Sequence, residues 1–124
     1  MPYAAALILA IGAMAPRAVA QNAFVPGFDD LPMMPGLTAG TEGPMVFDAP
    51  GGRIVESQVD GRGSAVRVMD FYRDTLPQLG WQAAGPEGTF EREGELLKLQ
   101  INEVERGRIT VRFSLAPAPN NGRP

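Results

Sequence analysis

The chain has no cysteine and no histidine among its 124 residues. Without histidine there is no Ser-His-Asp triad and no ordinary general base. Without cysteine there is no thiol nucleophile, and without either residue nearly every zinc or copper site is excluded. Disulfides are excluded as well, so the fold must stand on its core alone. Lysine is almost missing too: Lys98 is the only one, and the other ten basic residues are arginine. With 14 acidic against 11 basic residues the formal net charge is −3, the wrong sign for a nucleic-acid partner. The sequence carries no phosphate loop, dinucleotide fingerprint or metal-ligand spacing, so no cofactor and no metal is expected.

Long apolar runs are scarce. The uncharged stretch over residues 4–15 is too short for a bilayer, which takes about 20 apolar residues. It is followed by Ala18-Val19-Ala20, small residues at the positions a signal peptidase reads. This pattern predicts a signal peptide over residues 1–20, cleavage after Ala20, and a mature chain that starts at Gln21 with no transmembrane segment. Losing Arg17 takes the net charge to −4. A periplasmic or secreted location follows from that reading.

Residues 21–52 (QNAFVPGFDDLPMMPGLTAGTEGPMVFDAPGG) form a Pro/Gly/Met-rich arm. Pro26, Pro32, Pro35, Pro44 and Pro50 are too closely spaced for a helix. Yet Phe24, Val25, Phe28, Leu31, Met33, Met34 and Leu37 are too apolar for a solvated tether. Such an arm either lies across its own domain or offers itself to a partner. In the second case Phe24, Phe28, Leu31, Met33, Met34 and Leu37 are the contact residues. Size favours the first case, because residues 53–115 alone are near the limit of what folds without staples. Residues 45–47 suit a short strand.

From Arg53 the pattern is regular. Residues 53–59 (RIVESQV) read as a strand and residues 60–63 (DGRG) as its break. Ser64 suits the N-cap of a helix whose Val68, Met69, Tyr72, Leu76 and Leu79 share one face. Pro77 and Gly80 end that helix between residues 76 and 79. Short strands follow over 81–84 and 89–93, with a reversal at Gly94-Glu95. Residues 95–104 and 108–115 alternate apolar and polar side chains, the period of a sheet with one wet face. Residues 116–124 (APAPNNGRP) have little to bury and read as a disordered tail. The expected fold is α+β: an antiparallel sheet of about four to six short strands covered by one amphipathic helix, in two layers.

Catalytic candidates reduce to carboxylates and a Ser-Lys pair. Asp29-Asp30 lacks converging oxygen donors and suits a turn cap. Glu91, Glu93 and Glu95 alternate along a hairpin beside Arg92, which describes a solvated edge better than the buried acid a glycosidase needs. Glu103 and Glu105, with Arg106 and Arg108, flank a hairpin loop as ordinary surface pairs. Arg106, Arg108 and Arg112 near a hairpin tip could touch an anionic ligand or lipid. Lys98 falls on the polar strand face, without the desolvation that makes a lysine a base. Trp81 at the helix end reads as a core plug, with a ligand-stacking surface as the alternative.

The segments FYRDTLPQLGW (residues 71–81) and FEREGELL (residues 90–97) resemble a pattern in small exported bacterial proteins of unknown function. Alphaproteobacterial members also carry a segment similar to FDDLPMMPGL (residues 28–37). The resemblance implies a periplasmic α+β module and supplies no catalytic residue. The expected function is therefore a non-enzymatic interaction or accessory domain with an unidentified protein partner. A small-ligand or lipid-binding module, with Met33, Met34 and Met45 as adaptable lining, is the alternative, and a carboxylate-based hydrolase comes third.

Overall fold

The computed structural model describes residues 23–119. The predicted signal peptide, residues 1–20, lies outside them, as do residues 120–124 of the predicted tail. The elements run β1 (Leu37–Ala39), β2 (Met45–Ala49), β3 (Gly52–Arg62), α1 (Ala65–Thr75), a 3-10 turn (Leu76–Leu79), β4 (Gln82–Ala83), β5 (Thr89–Arg92), β6 (Glu95–Val104) and β7 (Arg108–Pro117). They form one antiparallel sheet of seven strands in the order β1-β3-β7-β6-β5-β4, with β2 also paired to β3. Among the described residues the fold is α+β with one α-helix, as expected, but the sheet is larger than four to six strands.

The additional strands come from the arm. Leu37–Ala39 pairs with the end of β3 and Met45–Ala49 with its start, so β1 and β2 follow one another along the same edge. The other edge of β3 is taken by β7. Without the arm, β3 would expose a row of unpaired amides and carbonyls. Between the two short strands the Gly40 amide donates to the Gln58 carbonyl at 3.0 Å and closes the gap.

Among the boundaries that differ from the sequence reading, two extend long strands. The DGRG break is not a break: β3 runs through Gly61 to Arg62. Gly61 is there because the arm passes too close for a side chain; a Cβ at this position would lie 2.3 Å from the Gly36 carbonyl oxygen. The tail also starts later than Ala116. β7 pairs Ala116 with Leu96 and Pro117 with Glu95, and the Ala118 amide donates to Gly94 at 2.7 Å. Partnership with β6 holds this stretch even though its side chains are small.

The helix follows its sequence signals. Ser64 Oγ accepts the Arg67 amide at 3.3 Å, and Glu103 Oε2 accepts the Ala65 amide at 2.8 Å. Together they satisfy two of the amides that a helix start leaves unpaired. At the other end Pro77 tightens the last turn, and Gly80 closes it at φ 94°, a conformation that disfavours a Cβ. Val68, Tyr72 and Leu76 are buried against the sheet.

The sheet sends Val55, Val59, Leu97, Leu99, Ile109, Val111, Phe113 and Leu115 into the core. Val25, Phe28, Leu31, Met34 and Leu37 of the arm complete it from the helix side. Each such side chain contributes about 1.5–3 kcal/mol when fully buried. Three rings from three segments meet in its middle. Phe113 of β7 lies edge-on to Tyr72 of α1 at 5.4 Å and to Phe28 of the arm at 6.3 Å.

Candidate functional site

Residues 24–32 form a closed loop. Phe24 and Pro32 make an isolated bridge, the Val25 amide donates to the Leu31 carbonyl at 2.8 Å, and the Phe28 amide donates back to Val25 at 3.0 Å. Pro26 and Gly27 make the turn inside it. This geometry turns Val25, Phe28 and Leu31 toward the protein. Of the six arm residues that sequence puts forward as partner contacts, Phe28, Leu31, Met34 and Leu37 are buried and Met33 is half-buried against the core. Phe24 alone stays largely open, at 47% exposure.

Two polar anchors hold the loop. The Tyr72 hydroxyl donates to the Pro32 carbonyl at 2.7 Å and accepts the Met34 amide at 3.1 Å. Burial pushes this phenol well above the ordinary tyrosine pKa of 10.0, with the Met34 amide opposing the shift only in part. It therefore keeps its proton and its role as a donor. Arg92 is the second anchor. One of its guanidinium nitrogens donates to Asp30 Oδ2 and to the Leu79 carbonyl, both at 2.9 Å, and its guanidinium lies 4.3 Å from the centre of the Trp81 ring. Arg92 thus links the arm, the helix end and the indole. Trp81 is 3% exposed beneath it, which makes it a plug rather than a platform.

The acidic candidates are dispersed. Asp30 pairs with Arg92, and Glu95 lies 3.8 Å from Arg53. Glu93 does not share a strand face with Glu91: with Gly94 it forms the β5–β6 turn, at φ 48° and 80°. That pair of left-handed residues makes the tight reversal, one position earlier than the sequence suggests. Glu103 caps α1 instead of pairing with an arginine. No three acidic side chains converge among the described residues. Arg106 lies in the 3-10 turn Glu105–Gly107, Arg108 is exposed, and Arg112 faces Glu56 at 3.7 Å. Lys98 pairs in register with Ser114, but the Ser114 hydroxyl is turned to Glu56 Oε2 at 3.4 Å and Lys98 is exposed. The arrangement supplies no buried base for a serine nucleophile.

The open apolar surface lies elsewhere in the arm. Met45, Val46 and Phe47 of β2 are 59%, 53% and 48% exposed. Among the described residues β2 pairs only with β3, so its outer edge presents free main-chain groups. Pro44 and Pro50 bound the strand and Asp48 is its one charged residue, so Met45, Val46 and Phe47 carry none of the lysine or proline guards common in edge strands. Glu42 precedes the strand and Asp48 lies within it, both exposed and without an ion-pair partner among the described residues. Sequence reading recognised a strand here but not its openness, because apolar content looks the same in an edge strand and a core strand. Tyr72 was legible as a core residue, whereas its hydroxyl's two partners lie 38 and 40 residues away and leave no local signal. No family model, curated protein or solved structure matches the chain.

Proposed function

We propose that the protein is a non-enzymatic interaction module of the bacterial envelope that binds an extended segment of a partner protein along β2. The observation that carries this reading is the bare edge of β2 with Met45, Val46 and Phe47 exposed beside it. Main-chain pairing at an open edge gives affinity, and side chains on alternate faces give selectivity. Glu42 and Asp48 add a charge preference, so the fitting occupant alternates apolar residues and carries arginine or lysine at its ends. Location in the envelope rests on the apolar run ending at Ala20, and mass spectrometry of the exported protein should show residues 1–20 removed. An intact Met1 in most molecules would remove the export argument.

The binding test uses a peptide of alternating valine and threonine with an arginine at each end, titrated into the isotopically labelled protein. Amide signals of β2 should shift and gain protection from hydrogen exchange. Val46→Lys, which puts a charge on the edge, should abolish both effects without unfolding the protein. Shifts confined to other elements, or an unchanged response of the Val46→Lys protein, would refute the reading. So would a self-paired dimer whose β2 is protected before any peptide is added.

A further inference from the structure

The outer face of β5, β6 and β7 holds a cleft of about 560 Å³, within the range of small-molecule sites; its floor continues the cross-strand row that starts at Met45 of β2 and runs through Glu56 and Ser114 to Lys98 and Thr89. Ala84 and Pro86 of the β4–β5 turn wall it, and Thr89, Leu96, Lys98 and Ser114 line its floor. The pairing register explains the arrangement: Lys98 lies directly between Thr89 on β5 and Ser114 on β7. Leu96 precedes it by two residues on the same face, next to Ala116. A cation is thus set between two hydroxyl-bearing neighbours, beside an apolar patch.

The wall is built rather than loose. The Ala84 amide donates to the Thr89 carbonyl at 2.9 Å, the Thr89 amide to Pro86 at 3.0 Å, and the Leu99 amide to Gly88 at 2.8 Å. Gly88 sits so tightly on β6 that a Cβ there would lie 3.0 Å from the Leu99 carbonyl oxygen. The charge is also available. Among the described residues no carboxylate forms an ion pair with Lys98. The nearest acidic residue in its cross-strand row, Glu56, accepts the Ser114 hydroxyl and faces Arg112. Lys98 and Thr89 are left to meet an anion.

We infer that this cleft binds a small amphiphilic carboxylate, with the carboxylate on Lys98 and Thr89 and the apolar chain on Leu96 and Pro86. No β2 residue lines this cleft, and the two readings are told apart by which amides shift: Thr89, Lys98 and Ser114 here, β2 in the other. The test is an NMR titration of the purified protein with octanoate, and with octanol and octylamine as chain-matched controls. Octanoate should shift the amides of Thr89, Lys98 and Ser114 saturably, with a Kd on the order of 1 mM. Octanol and octylamine should bind at least about fivefold more weakly, and Lys98→Gln should weaken octanoate by a similar factor while Lys98→Arg keeps most of the affinity. Lys98 is exposed, so both variants should keep the amide spectrum elsewhere. Equal binding of octanol and octanoate, equal affinity in the Lys98→Gln protein, or shifts that gather at Met45, Val46 and Phe47 would overturn the inference.

Discussion

Residues 23–37 and residues 45–49 belong to one proline-rich arm and both carry large apolar side chains, but they meet opposite fates. The first stretch folds into a closed loop, places Val25, Phe28, Leu31, Met34 and Leu37 in the core, and is bolted down by Tyr72 and Arg92. The second pairs with β3 and leaves Met45, Val46 and Phe47 more than 45% exposed. What separates them is position over the sheet. The loop crosses the face that the helix leaves uncovered, where apolar side chains find Phe113 and Tyr72. The strand extends the sheet sideways, beyond the reach of anything packed on that face. A single arm thus supplies both a piece of the core and an open edge. Apolar side chains are buried in the core in one place and stay exposed in the other.

The largest test of this contrast removes the arm. A protein of residues 48–124 loses five core side chains and the pairing partner of most of β3. It should show no cooperative thermal transition, while residues 21–124 should melt as a unit. Coincident melting curves for the two would mean that the arm is a passenger.

Single truncations sharpen the comparison. Leu31→Ala should cost about 2–5 kcal/mol in urea unfolding, the range for a buried leucine. Val46→Ala, at a site 53% exposed, should stay within about 0.5 kcal/mol of the parent. If the two substitutions cost the same, the division of the arm into a buried loop and an open strand is wrong.

Tyr72→Phe keeps the ring but strands the Pro32 carbonyl and the Met34 amide, and should cost about 1–3 kcal/mol. It should also change the alkaline limb of stability. The folded-state pKa of Tyr72 is raised above its unfolded value, so the contribution is fully present below pH 10 and is lost as pH climbs toward the folded pKa. The slope is at most about 1.4 kcal/mol per pH unit. The parent should lose stability above pH 10 more steeply than Tyr72→Phe, and parallel alkaline limbs would show that the hydroxyl is not buried as described.

A smaller effect is expected at the helix end. Gly80→Val places a β-branched side chain at φ 94° and should cost on the order of 1 kcal/mol or more. Ala65→Val, at the half-buried helix start, should cost less. Equal urea midpoints would misplace the cap.

Much of this architecture is written locally. Ser64, Pro77 and Gly80 mark the helix, and the alternation of Leu97, Leu99, Ile109, Val111, Phe113 and Leu115 marks two long strands with one buried face. Those signals persist because a cap, a left-handed turn and a two-residue period depend on neighbours within a few positions. The absence of histidine and cysteine likewise bounds the chemistry without reference to any fold. Tertiary structure alone decided two other matters. Gly61 reads as a breaker, yet it is the point where Gly36 presses against β3. Leu31 and Phe47 read alike, yet one is core and the other open edge. Burial is set by what lies opposite a side chain, and for the arm those opposing groups come from α1 and β7, some 40 to 85 residues further along the chain.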